Sequence, residues 1–172
     1  MKKLIIVLAF SLSACANVGP TKVAVDDQLA YAYGAVTGLR NLAAARLQTH
    51  EISAEEGLAV QNLATQVRGI LGDAKLALYS NQTTVLTKID NALILITQLQ
   101  GLAHYGAQLK ATNSGLTEAV EALTEVTQAE ALVQNVLDIA HSQHAKLTMD
   151  DFAVIEKADD VANSNLAAKL AK

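Results

Sequence analysis

The chain has 172 residues, with 13 basic and 17 acidic side chains and a formal net charge of −4. Hydrophobic residues make up 51% of it but aromatics only 3%, with no Trp and a single Cys. These figures exclude a nucleic-acid binder built on a basic stripe, a stacking platform built on aromatic faces and any intrachain disulfide. The length suits one domain, and an apolar content drawn mainly from Ala, Leu, Val and Ile points to helices packed closely through small side chains.

The first element is an export signal. Lys2 and Lys3 form a short positive segment, Leu4 to Phe10 is an unbroken apolar run, and small residues follow. The run is too short to span a membrane as a helix, which takes roughly 20 apolar residues. Leu12-Ser13-Ala14-Cys15 closes it and holds the only cysteine. In that order, charge, apolar run, then Leu-Ser-Ala-Cys, residues 1–15 resemble the lipobox signal of bacterial lipoproteins. The resemblance implies that the Cys15 thiol receives diacylglycerol, that the signal is cut just before it, and that the new amine is acylated in turn. It implies residues 1–14 as signal peptide and lipid on Cys15; 15–24 then read as a lipidated tether, and the helical period from Val25 gives 25–172 as the helical domain. The alternative is a plain signal with an incidental cysteine, but an unpartnered thiol in an exported protein is exposed to oxidation. One acyl chain holds a protein only marginally, whereas two or three hold it firmly. By resemblance to enteric lipoproteins, Ala16 rather than Asp after the cysteine favours the outer membrane over the inner.

Removing the 14 signal residues from 172 leaves 158, and losing Lys2 and Lys3 takes the 13 basic residues to 11 against 17 acidic ones, a net charge of −6. Attraction to anionic lipid is therefore not expected, and the anchor must be the lipid itself. The tether, "ANVGPTKVA" at 16–24, carries the only proline. Nine residues reach at most about 30 Å, so the domain is expected close to the bilayer.

The helical period begins at Val25. Val25, Leu29, Ala32, Val36, Leu39 and Ala43 share one face and predict a helix over 25–48, with Asp26 and Asp27 at its positive end. Ser53 with Glu56 is a capping box that starts a second helix over 54–79, whose stripe is Val60, Leu63, Val67, Ile70, Ala74 and Ala77. "YSNQT" breaks it. A third helix is predicted over 83–110 on Val85, Ile89, Ala92, Ile96, Leu99 and Ala103; its "ALILI" at 92–96 is apolar all round, which predicts a central, covered position. "ATNSG" at 111–115 is a turn. A fourth helix over 116–144 carries Ala119, Leu123, Val126, Ala129, Val133, Val136 and Ala140, and a fifth over 149–170 carries Phe152, Ile155, Ala162, Leu166 and Leu170. Asp159 and Asp160 interrupt the fifth stripe and place that helix at the edge, where it is expected to fray. No run alternates as a strand does. The fold class is all-α, an antiparallel bundle of four long helices with a C-terminal edge helix. "ISAEEGLAV" at 52–60 parallels "LTMDDFAVI" at 147–155, an echo that helix capping at Ser53 and Thr148 largely explains.

Candidate chemistry is sparse. His141 and His144 stand at i and i+3, a spacing that can bind zinc, but His50 lies at the opposite end of such a bundle and His104 nearer that end. Their expected place is a helix C-terminus, where the dipole favours cations. The paired acids Asp26–Asp27, Glu55–Glu56 and Asp150–Asp151 stand at helix starts and read as capping; Asp159–Asp160 reads as solvated. Gly34 and Gly38 form G-x-x-x-G in a helix that also carries Arg40 and Arg46, and so predict close packing against a neighbour. Tyr31 and Tyr33 could border a small pocket. No phosphate-binding loop or nucleophile motif occurs, so catalytic, cofactor-binding and metal-binding residues are assigned to none. Cys15 is the one assigned site.

The expected function is non-enzymatic: a lipid-anchored, periplasm-facing helical lipoprotein with a structural or interaction role at the envelope. Its partners are the membrane, through lipid on Cys15, and an envelope protein or a second copy; nucleic acid and cofactors are not expected. In "DDQLAYAYGAV" and its Ala-rich helices the body is similar to small lipoproteins of phage and prophage genomes, which implies roles such as modifying the host envelope, excluding other phages or assisting lysis. The second reading is a small-molecule binder near Tyr31, Tyr33 or His104; an enzyme comes last.

Overall fold

A computed structural model describes residues 24–103, 128–129, 131–142 and 146–171. Among them are five helices: α1 (Val25–Gln48), α2 (Ala54–Tyr79), α3 (Val85–Leu102), α4 (131–142) and α5 (Met149–Leu170). No described residue is in a strand. The expected bounds of α1, α2 and α5 agree with those observed. The third helix starts at Val85 rather than 83 and ends at Leu102, with Ala103 as its C-cap. Beyond it, the predicted extension to 110 lies outside the described residues. So do the 111–115 turn and Ala119, Leu123 and Val126 of the fourth stripe.

Helices that follow one another run antiparallel, so α1, α3 and α5 point the same way. Contacts between helix ends fix this. At one end Asp26 Oδ2 accepts from the Leu147 amide at 2.9 Å, the Tyr79 hydroxyl donates to the Leu147 carbonyl at 2.8 Å, and His141 Nε2 lies 3.1 Å from Asp27 Oδ1. The start of α1, the ends of α2 and α4 and the approach to α5 therefore meet there. At the other end Arg46 Nη1 donates to the Ala103 carbonyl at 2.8 Å and Lys169 Nζ to Gln48 Oε1 at 2.7 Å.

The central helix is α1, not the third helix with its "ALILI" run. Fourteen of the 24 residues of α1 are buried, and it packs on α2, α3 and α5 as well as α4. Its small residues explain why. A Cβ on Gly34 would stand 2.7 Å from Val133 Cγ2, so only glycine lets α4 approach this closely. Gly38, Ala30, Ala32, Ala43 and Ala44 are also buried. In α3, by contrast, Ala92 and Ile96 are buried, Leu93 and Leu95 only partly, and Ile94 is 60% exposed. An all-round apolar run does not make a helix central when the helix lacks the small residues that let neighbours close on every side.

Helices α1 and α2 end alike. His50 (φ 60°) and Asn81 (φ 53°) adopt the left-handed conformation one residue past the cap. The amide of Glu51 reaches back to the Arg46 carbonyl at 2.9 Å, and that of Gln82 to the Ala77 carbonyl at 3.0 Å. Each is a six-to-one bond that satisfies a carbonyl left open at the helix end. His50 is thus a turn residue, held where glycine or asparagine is the usual occupant.

Both expected caps form. The Glu56 amide donates to Ser53 Oγ at 3.2 Å while the Ser53 amide donates to Glu56 Oε2 at 2.7 Å; Thr148 and Asp151 repeat the exchange at 3.3 and 2.7 Å. The expectation that α5 frays rested on Asp159 and Asp160 interrupting its stripe, but Asp159 is buried within that stripe. Phe152, Ile155, Asp159, Ala162 and Leu166 are all at most 1% exposed, and full burial of a side chain such as Phe152 or Leu166 contributes about 1.5–3 kcal/mol. Helix α5 flanks the bundle but is locked to it. Ser53→Ala and Thr148→Ala are therefore expected to cost alike, each about 0.5–2 kcal/mol, in a single denaturant transition. A separate early transition in Thr148→Ala alone would show that α5 unfolds independently.

Candidate functional site

The sites expected from the sequence disperse in the structure. Cys15, His104 and His144 lie outside the described residues. His141, in the last described turn of α4, pairs with Asp27. Burial pushes the Asp27 carboxyl up; the neighbouring His141 pulls it down and Asp26 pushes it up, and the net shift is upward. Among the described residues, no three His, Cys, Asp or Glu side chains gather as a metal site would require. Tyr31 and Tyr33 have different surroundings. Tyr31 is 40% exposed and donates to Gln134 Oε1 at 2.8 Å, whereas Tyr33 is fully buried beside Phe152, ring centroids 6.1 Å apart.

The paired acids divide by role. Glu56 and Asp151 cap α2 and α5 as expected. Asp26 does not cap α1, whose N-cap Ala24 has no side-chain bond; it holds the Leu147 amide instead. Asp159, read as solvated, is 1% exposed, and only Asp160 faces water.

Asp159 anchors a charged cluster that links α1, α2 and α5. Arg40 Nη1 from α1 donates to Asp159 Oδ2 at 2.5 Å, and Arg68 Nε from α2 donates to the same oxygen at 3.0 Å. Thr37 Oγ1 lies 3.4 Å from Asp159 Oδ1, and Arg40 Nη2 donates to Thr65 Oγ1 at 3.3 Å. One turn away on α5, Glu156 Oε1 accepts from Tyr33 at 3.0 Å, from Arg68 Nη1 at 3.1 Å and from Lys75 Nζ. The Arg68 guanidinium also lies 4.9 Å from the Tyr33 ring centroid, in cation–π range.

The electrostatics follow from this pairing. Burial acts to raise the Glu156 carboxyl, but the Lys75 hydrogen bond, the Arg68 and Lys75 charges and the Tyr33 hydroxyl outweigh it and hold Glu156 below the usual carboxylate range. Burial pushes the Tyr33 hydroxyl far up, against the pull of Arg68, so it stays protonated and donates. Each carboxylate is already held by cations, which makes the cluster a tie between helices; nothing in it is poised as a general base or nucleophile.

Sequence reading missed Arg40, Arg68, Lys75 and Glu156, and misplaced Asp159. A signal was present. Arg40 falls four residues after Val36 and three before Ala43, and Asp159 falls between Ile155 and Ala162 at steps of four and three. Both charges stand on apolar stripes, where a lone charge is too costly to bury without a partner. Opposite charges on two stripes mark a candidate pair.

The chain matches no protein-family model, and comparison with curated proteins and with solved structures gives no significant match. The class defined by the fold is thus an all-α, five-helix bundle whose helices α1, α2 and α5 are tied by a buried ionic cluster.

Removing one member of a buried pair strands the other. Asp159→Asn is expected to cost about 3–5 kcal/mol in denaturant unfolding, whereas Arg40→Met with Asp159→Leu should regain most of that loss. If the double variant is as unstable as the single one, the pair is not the source of the cost.

Glu156 gives a pH signature. Its folded pKa lies below its unfolded one, so its stabilisation is present above the ordinary carboxylate pKa and is lost as pH falls through the lowered folded value. Glu156→Gln should be less stable than wild type at about pH 7, and the gap should narrow progressively as pH falls below the ordinary carboxylate range. A gap independent of pH would mean that the charge of Glu156 contributes nothing.

Proposed function

We propose that this chain is an exported lipoprotein, held at the bacterial envelope by lipid on Cys15, whose helical body serves a structural or interaction role rather than catalysis. The observation that carries the reading is Leu12-Ser13-Ala14-Cys15 directly behind a charged start and an apolar run. The cysteine has no partner for a disulfide, and acylation gives it a purpose. None of the described helices is long and apolar enough to cross a membrane. Ala16 favours the outer membrane. The likeness of the body to small Ala-rich lipoproteins of phage genomes favours a role in altering the host envelope.

An interaction role is supported over small-molecule binding by the state of the polar side chains. Tyr33, proposed as a pocket residue, is filled around by Phe152 and Arg68, and its hydroxyl is engaged by Glu156. A ligand there would have to break a formed ionic cluster. The partner is an envelope protein or a second copy, met through the outward helix faces.

Metabolic labelling with radioactive palmitate tests the anchor. Wild type should label and fractionate with membranes, while Cys15→Ser should lose the label and either leave the membrane fraction or accumulate uncut. Absence of label on wild type would sink the lipoprotein reading.

A further inference from the structure

Among the described residues, Tyr31, Ile94, Val154 and Val161 are exposed along the sides of the bundle, and five more of the exposed large apolar side chains stand at the helix termini of one end. Leu76 and Tyr79 stand in the last turn of α2, Leu86 in the first turn of α3, Ile139 in the last turn of α4, and Met149 opens α5; all are between 38% and 58% exposed. These are the helix ends gathered around Leu147 by Asp26 and Tyr79, where α1 begins. At the opposite end only Leu58, in the second turn of α2, is comparably exposed among the described residues. The five therefore form a collar around one end of the molecule, set by four different helix termini.

The chain enters the bundle at that same end. Nine residues separate Cys15 from Val25, and they reach at most about 30 Å. An acylated Cys15 thus keeps the collar, and not the Leu58 end, within reach of the bilayer. We propose that the collar is a lipid-docking surface: Leu76, Tyr79, Leu86, Ile139 and Met149 enter the interfacial zone of the membrane that holds Cys15, so that the bundle stands on the bilayer instead of swinging on its tether. This rests on the lipoprotein reading.

The chemistry of the collar selects the surface. Its charged neighbours are mainly acidic: Asp27, Asp73, Asp138, Asp150 and Asp151 against Lys75, Lys88 and Lys146. Anionic headgroups would repel it, so the matching surface is a zwitterionic one entered by apolar contact. Tyr79 suits such a boundary. Its hydroxyl is tied to the Leu147 carbonyl and stays protonated, burial and the nearby Asp26 and Asp151 charges having pushed it up to about 12, while the residue remains 38% exposed. A collar of scattered side chains is too weak to bind lipid alone, but an anchor makes the second contact intramolecular.

The absence of Trp from the chain permits a clean test. Leu86→Trp, Ile139→Trp and Leu58→Trp are made singly in the full acylated protein, all at positions exposed enough to accept the ring. Each is reconstituted into phosphatidylcholine vesicles with and without bromine on the acyl chains, and flotation of the same samples reads anchoring. Leu86→Trp and Ile139→Trp should lose about twice the fraction of emission, or more, that Leu58→Trp loses to brominated lipid, as burial at the headgroup–acyl boundary requires. Flotation with equal quenching at all three positions would overturn docking and leave the anchor standing. A blue shift at the collar without bromine quenching would also overturn it, in favour of contact between protein copies. Failure to float would overturn the anchor and the docking together.

Discussion

The arrangement of this bundle depends on Asp159 being buried between two arginines. Its core is otherwise Ala, Val, Leu and Ile with few aromatics, and such stripes repeat so regularly that a slide of one helix along another leaves many contacts of similar quality. A carboxylate taken out of water has no such tolerance. It must meet Arg40 and Arg68, and only one register of α5 against α1 and α2 provides both. Desolvation makes the pair a weak source of net stability, and its contribution lies in excluding alternatives. Glu156, one turn earlier on α5, adds Lys75 and Tyr33 to the same constraint.

With α5 set in that register, the end of the molecule where α1 begins is organised by three side chains that reach across the chain. Asp26 and Tyr79 hold the amide and carbonyl of Leu147, the residue before the Thr148 cap. Asp27 holds His141 at the close of α4. The first turn of α1 is therefore bonded to the segment that leads into α5, more than 100 residues away. The helix that opens the bundle at Val25 is thus also its most buried one, rather than a peripheral helix that could peel away.

Small residues explain the layout as much as charges do. Gly34 lets Val133 sit where a Cβ would collide, which brings α4 onto α1 and leaves α3 on the flank. The centre of the bundle thus belongs to the helix that can be approached from most sides, although α3 has the denser apolar run. The exposed Leu86 and Ile94 of α3 are the consequence.

Local chemistry was legible from the chain alone. The bounds of α1, α2 and α5, both capping boxes and the all-α class follow from apolar periodicity and from hydroxyl–carboxylate spacings of three residues, which are properties of one helix and need no partner. The break between α1 and α2 follows from the same periodicity, but not the left-handed backbone of His50 within it. What the sequence could not assign is everything that compares two helices. Asp159 looked solvated because its stripe gives no sign of which residues face it; Arg40 and Arg68 lie 119 and 91 positions away. Asp26 looked like a cap for the same reason, its partner being 121 positions along. The central place of α1 depends on how closely neighbours approach, which small side chains permit but do not direct. Periodicity says which face of a helix is buried; only tertiary packing decides against what, and whether a charge on that face finds the opposite charge that lets it stay.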